Sequence, residues 1–310
     1  MKALRTPEAR FANIPDYPFK PHYVTVGDNL RLHYVDHGPR DGRIVIMMHG
    51  EPSWSFLYRH MIKNVAAAGF RVLAPDLIGF GKSDKPTETS DYSYTRHMKW
   101  MTAWFKHVDV KDAVLFCQDW GGLLGLRLVA AFPDKFAGVV AANTFLPTGE
   151  RKPGEAFIKW REFSQTVPEF PVGGVLRGGT VKPLGEGVEE AYNAPYPDES
   201  YKAGARIFPA LVPITPDMDG AADNRAAWKV LSKFNKPFLT AFSDQDPVTK
   251  GGDKGFQKMV PGCKGQPHQI VKGGGHFLQE DVHRELSEII VDFCARCNSR
   301  IKNPAQMAGL

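Results

Sequence analysis

Residues 113 to 132 read AVLFCQDWGGLLGLRLVAAF. A solid apolar run reaches Cys117, a polar corner follows at Gln118 and Asp119, and Leu and Ala then recur from about Gly121 to Ala131 as in a buried helix. A strand that turns this sharply into a helix places its corner residue in a strained conformation, which needs small neighbours two positions away on either side. Cys117 and Gly121 meet that need. The corner is therefore an elbow that presents Asp119 as a nucleophile, although an Asp before Gly-Gly also reads as a helix N-cap.

The same alternation extends outward. Residues 30 to 50, LRLHYVDHGPRDGRIVIMMHG, predict a strand with one exposed face and then a buried central strand ending at His49-Gly50. RVLAPD (71–76) and FAGVVAANT (136–144) predict further strands, and a helix is expected over 94–107. Such βα units imply a mostly parallel sheet flanked by helices on both faces. After Pro147 the rhythm stops. Residues 148–225 are rich in Pro and Gly, with helical patches only at Phe157–Ser164 and Val188–Tyr192, and predict an inserted helical cap. The core, assigned to 1–147 and 226–310, resumes with PFLTAFSDQDP (237–247), PHQIVKGGGH (267–276) and a last helix with Leu286, Ile289, Ile290, Phe293 and Cys297 on one face.

Downstream of the elbow, Asp246 follows a buried strand in Ser-Asp-Gln-Asp-Pro, and His276 follows a strand and Gly273-Gly274-Gly275. Nucleophile, acid, histidine is the chain order of α/β-hydrolases. Asp244 competes for the acid role; Asp246 is preferred because it directly precedes the Pro where the strand has ended. The loop after His49-Gly50 would supply one oxyanion-hole N–H, that of Glu51, and Trp120 the other.

Composition narrows the classes. The 310 residues are 43% hydrophobic and 24% charged, an ordinary globular balance. No apolar run approaches the roughly 20 residues of a membrane span, and MKALRTPEARFANIPDYPF has no apolar signal core, so the expectation is a cytoplasmic protein. The net charge of +5 comes from scattered Lys and Arg, which argues against nucleic acid. Of the four cysteines, Cys294 and Cys297 are spaced as core residues, and no metal site is expected.

The chain resembles the haloalkane dehalogenases. The resemblance runs through RTPEARFANIPDYPF, HGEPSWSFLYR, APDLIGFGKSDKP, CQDWGGLLGLR, APYPDESYKAGARIFP, SDQDP and GGGHFLQED, with the elbow and HGEPSW the most specific. It implies an α/β-hydrolase core with a helical cap, no cofactor, and halogenated hydrocarbon, water and halide as the only partners of what is expected to be a monomer. It also implies two halide donors. Trp120 is the first. The second in this family is an Asn after His-Gly or a Trp from the cap; Glu51 occupies the Asn position, so Trp160 in AFIKWREF is the candidate, with Trp228 behind it. Asn143 stands where another branch places its acid, in agreement with Asp246 in that role.

An epoxide hydrolase would share the Asp nucleophile, His and acid and would use phenols such as Tyr192, Tyr196 and Tyr201. A fluoroacetate dehalogenase would need arginines beside the nucleophile, and the elbow offers Trp120-Gly121-Gly122 with no Arg until Arg127. A non-enzymatic receptor on the same core is the third alternative, against which the intact Asp119, His276 and Asp246 set argues.

Overall fold

The apolar runs form the interior of one eight-stranded sheet. In this computed structural model, which describes residues 1–302, the strands are Pro21–Thr25 (β1), Arg31–His37 (β2), Ile44–Met48 (β3), Arg71–Pro75 (β4), Ala113–Gln118 (β5), Phe136–Ala142 (β6), Phe238–Ser243 (β7) and Gln269–Val271 (β8). Their order is β8-β7-β6-β5-β3-β4-β2-β1. Strands β3 to β8 run parallel, whereas β2 is antiparallel to β4 and β1 to β2. A separate short ladder joins Ala3–Leu4 to Lys85–Pro86.

Every residue of β5 and β6 is buried, because helices cover both faces. Helices α1 (Arg59–Ala67) and α9 (His283–Lys302) lie on the face of Val45, Met47, Val114 and Phe116. Leu286, Ile289, Ile290, Phe293 and Cys297 pack there as the spacing predicts, and Cys294 joins them as a buried free thiol. Helices α2 (Tyr94–Val108) and α3 (Trp120–Ala131) cover the opposite face, with Ile46, Met48, Leu115 and Cys117 beneath them. Burying one such aliphatic side chain contributes roughly 1.5–3 kcal/mol, so this double-sided stack fixes the frame that carries the site.

Strand β2 departs from expectation. Leu32, His33, Tyr34 and Val35 are all buried, so it has no exposed face. His33 reads as polar, but its Nδ1 lies 2.7 Å from Asp76 Oδ2 and the pair is hidden together.

No strand forms between residues 148 and 225, as expected of a cap. The two helical patches lie within α4 (Glu155–Thr166) and α6 (Val188–Asn193), but two further helices were not legible: α5 (Val172–Gly178) and α7 (Ala203–Leu211). Internal glycines weaken the first, and Pro209 lies inside the second, so both read as loops. The boundary at 225/226 also needs correction. It falls inside α8 (Ala221–Leu231), which packs against α3 and belongs to one continuous element. Residues 303–310 of the second core segment lie outside the described residues.

Strand β3 has β4 on one side and β5 on the other, so the chain reverses direction across the sheet at this point. Open parallel sheets form ligand crevices at the carboxyl ends of the strands beside such a reversal. His49-Gly50-Glu51 and Asp119 both lie there.

Candidate active site

Asp119 occupies the corner between β5 and α3 with φ 51° and ψ −128°. A non-glycine residue on the positive-φ side costs of order 1–3 kcal/mol and needs support. Here the Asp119 N–H donates to the Asn143 carbonyl at 3.0 Å, and the Thr144 hydroxyl donates to the Asp119 carbonyl at 2.7 Å. The turn is pressed against the end of β3: a Cβ at Gly121 would stand 1.9 Å from the Met48 carbonyl oxygen. The Asp119 side chain makes no capping bond to α3, which sets the N-cap reading aside.

The carboxylate is held from one side and open on the other. The Glu51 N–H donates to Oδ1 at 2.8 Å, an approach that a Cβ at Gly50, 2.2 Å from the same oxygen, would block. Of the two expected oxyanion donors only Glu51 is bonded to the carboxylate; the Trp120 N–H is not. His276 Nε2 lies 3.7 Å from Oδ2.

His276 turns its other nitrogen, Nδ1, to Asp246 Oδ2 at 3.0 Å. Asp246 also accepts from the Val248 N–H at 2.8 Å and from the Thr249 hydroxyl. Burial alone would raise the Asp246 pKa, but the His276 charge and these bonds hold it below the usual carboxylate range. Burial likewise opposes the imidazolium, yet Asp246 and Asp119 outweigh it and hold His276 at about 10. Asp244 is occupied elsewhere, accepting from the Gly273 N–H at 2.9 Å. Asn143 ties the parts together: its amide donates to Ser243 Oγ at 2.8 Å, Gly275 O at 2.9 Å and His276 O at 3.1 Å.

Asp119, Trp120, Glu51 and His276 line a cavity of about 580 Å³ whose remaining walls are largely apolar, among them Leu123, Phe145, Phe157, Trp160, Val212 and Phe277. Of the tryptophans, Trp120 and Trp160 line it, and neither indole N–H is bonded within the protein. Trp228, the reserve candidate, donates instead to the Leu146 carbonyl at 2.8 Å, and Trp100 donates to Asp28. Trp54 and Trp104 are buried away from the cavity. Trp120 is wedged between Tyr94 and Phe208, at ring separations of 5.1 and 4.6 Å.

A family model for the alpha/beta hydrolase fold matches residues 43–281. The chain is 58% identical over 297 residues to the haloalkane dehalogenase of Psychrobacter cryohalolentis, an alignment covering 94% of this chain and 98% of that one. The chain belongs to the haloalkane dehalogenases. It is 49% identical to the Mycobacterium marinum haloalkane dehalogenase, over 94% of this chain and all of that one. Among solved structures, a tetrameric haloalkane dehalogenase from Paraglaciecola agarilytica superposes with a TM-score of 0.88 at 36% identity, covering 93% of this chain and 97% of that one.

Two features of this haloalkane dehalogenase family member escaped the sequence reading. The sequence gives Glu51 its N–H role and its place after His-Gly; the structure adds that its side chain is buried in the cavity wall with Oε1 unpartnered. Burial, and then the Asp119 charge, push its pKa well above the usual carboxylate range. An acidic residue straight after a buried strand was the available signal. The second is Gln118, fully buried beside the nucleophile and bonded to His276. The cap phenols are elsewhere: Tyr192 donates to Glu280, Tyr196 is buried without a partner for its hydroxyl, and neither lines the cavity, nor does Tyr201. Among the described residues no helix is long and apolar enough to cross a membrane.

Proposed function

We propose that the chain hydrolyses haloalkanes to an alcohol, a halide ion and a proton through an alkyl ester on Asp119. The observation that carries this reading is the asymmetric carboxylate: Oδ1 is held by the Glu51 N–H, while Oδ2 is free at the floor of an apolar cavity within 3.7 Å of an imidazole.

Asp119 Oδ2 attacks the sp³ carbon opposite the halogen, the carbon–halogen bond breaks with its electron pair, and the ester forms. The departing halide is received by the indole N–H groups of Trp120 and Trp160, which donate without a counter-charge and leave the pocket dry. Water then gives a proton to His276 Nε2 as its oxygen attacks the ester carbonyl carbon. The negative charge collects on Oδ1, where the Glu51 N–H is in place and the Trp120 N–H serves as second donor. Collapse expels the alkoxide, which takes the proton from His276, while Asp246 stabilises the transient imidazolium. An epoxide hydrolase would need a phenol over the carboxylate, and the cavity walls supply none.

A monomer is proposed as the active unit, and light scattering on the purified protein measures this directly. The buried free thiols of Cys117, Cys263 and Cys294 suit a reducing compartment such as the cytoplasm. The mechanism is tested by one turnover of 1-bromobutane in heavy-oxygen water. Label should enter an Asp119 carboxylate oxygen; label in the first alcohol with none in Asp119 means direct attack by water. Halide release from 1,2-dibromoethane without opening of styrene oxide separates the two hydrolase activities.

A further inference from the structure

Resting on the two-step reading above, we propose that Gln118 is a positioning residue for His276, its side-chain amide favouring the neutral imidazole form whose basic lone pair is on Nε2. Gln118 is the last residue of β5 and fully buried. Its Nε2 lies 3.1 Å from the His276 carbonyl oxygen and 3.2 Å from His276 Nε2. The first contact fixes the amide, since a carbonyl oxygen only accepts and the flipped amide would set oxygen against oxygen. An N–H therefore faces Nε2, and in the neutral ring that nitrogen is the acceptor. The single proton of the neutral ring then resides on Nδ1, shared with Asp246 at 3.0 Å. This is the form that can take a proton from water.

The titratable groups facing His276 are Asp246 from the loop after β7, Asp119 from the elbow and Glu51 from the loop after β3. Asp246 and Asp119 favour the imidazolium; the Gln118 donor opposes it. When Asp119 becomes a neutral ester, one of the two charges disappears while the Gln118 bond remains. The balance tips toward the neutral base in the intermediate that needs one. Gln118 thus acts on the second step and leaves carbon–halogen cleavage alone.

The experiment is rapid-quench kinetics with 1-bromobutane on the full chain across pH, comparing wild type with Gln118→Met, which keeps volume without a donor, and Gln118→Glu. In Gln118→Met the halide burst should keep its rate and amplitude, while the acid limb of ester hydrolysis moves up by about one pH unit, the worth of one hydrogen bond. Hydrolysis below that limb should be about tenfold slower, with alkyl-enzyme accumulating. Gln118→Glu, whose carboxylate would accept from Nε2–H, should move the limb further. A normal burst with an unshifted hydrolysis limb in either variant overturns the proposal. So does a ¹⁵N spectrum of Asp119→Asn, with Gln118 intact, showing the neutral His276 ring protonated on Nε2, a measurement that needs no active Gln118 variant. Absence of any alkyl-enzyme in wild type or in His276→Gln would instead refute the two-step reading itself.

Discussion

His276 Nε2 stands 3.7 Å from Asp119 Oδ2, beyond hydrogen-bond reach yet close enough for each charge to govern the other. The carboxylate helps hold the imidazole at about 10, against the opposing effect of burial. Neutralising Asp119 must then lower that value. Asp119→Asn, which imitates the charge of the ester, should bring the His276 pKa down, as read from its ring resonances in an NMR titration. An unchanged value would mean that the two groups are not coupled. The same shift has a stability consequence. A folded pKa above the unfolded value of ~6.5 contributes stability that is complete below about pH 6.5 and is lost as pH rises toward the folded pKa. Chemical denaturation should therefore show the wild type losing stability over that alkaline window relative to His276→Gln.

The two steps place different demands on His276. Its Nε2 serves the water and is not needed for displacement at carbon. His276→Gln should release about one halide per enzyme and stop, and the intact protein should gain the mass of the alkyl group on Asp119. A folded variant with neither burst nor adduct would contradict this division of labour.

Much of this arrangement could be read from residues 113 to 132, because a strained strand-to-helix corner leaves a local signature in small residues. Asp246 and His276 were legible for a related reason: each follows a buried strand, and the sheet brings strand ends together. The cap was another matter. Helices α5 and α7 hold their shape by packing, α5 in spite of its internal glycines and α7 in spite of Pro209. Local propensity therefore pointed the wrong way. The Glu51 side chain and Gln118 were not legible because what makes them notable is what they face: a cavity without a partner for one, a ring nitrogen for the other.

Glu51 is buried, unpartnered at Oε1 and pushed well above the usual carboxylate range. Burial and the Asp119 charge both favour its neutral form, and Glu51→Gln supplies a neutral group of the same shape while leaving the oxyanion N–H in place. Turnover should stay within about threefold of wild type, in line with the loss of at most one neutral hydrogen bond. A fall of a hundredfold at pH 7 would show that the ionised form is used.

The elbow has no room for a methyl group at Gly121, where a Cβ would sit 1.9 Å from the Met48 carbonyl oxygen. Gly121→Ala must push α3 away from β3, breaking the contact that supports the strained Asp119. Because overpacking typically costs about 1–3 kcal/mol and backbone is the obstacle here, a loss at the upper end is expected in urea unfolding. Activity should fall out of proportion to stability, since Oδ1 would move from the Glu51 N–H. Gly154→Ala, with open space around its Cβ position and outside the cavity wall, is the matched control.

Trp160 has the most demanding test, because it can matter either as a donor or as a wall. It lines the cavity, packs against Phe163 and Phe170 at ring separations of 5.8 and 5.9 Å, and its N–H bonds nothing in the protein. Trp160→Phe retains most of that packing and deletes the N–H. A hydrogen bond to a charged group contributes roughly 1.5–3 kcal/mol, and the halide carries more charge in the transition state than in the substrate. Carbon–halogen cleavage should therefore slow by about 10- to 200-fold, at about 1.4 kcal/mol per factor of ten. Bromide affinity, followed by quenching of the remaining tryptophan fluorescence, should weaken in the same variant. Trp228→Phe is the counterpart: its N–H is already given to the Leu146 carbonyl, so its loss should lower stability and leave bromide affinity unchanged. If Trp160→Phe binds bromide and turns over as the wild type does, Trp160 is a wall, and the second donor must be sought among the other groups lining the cavity.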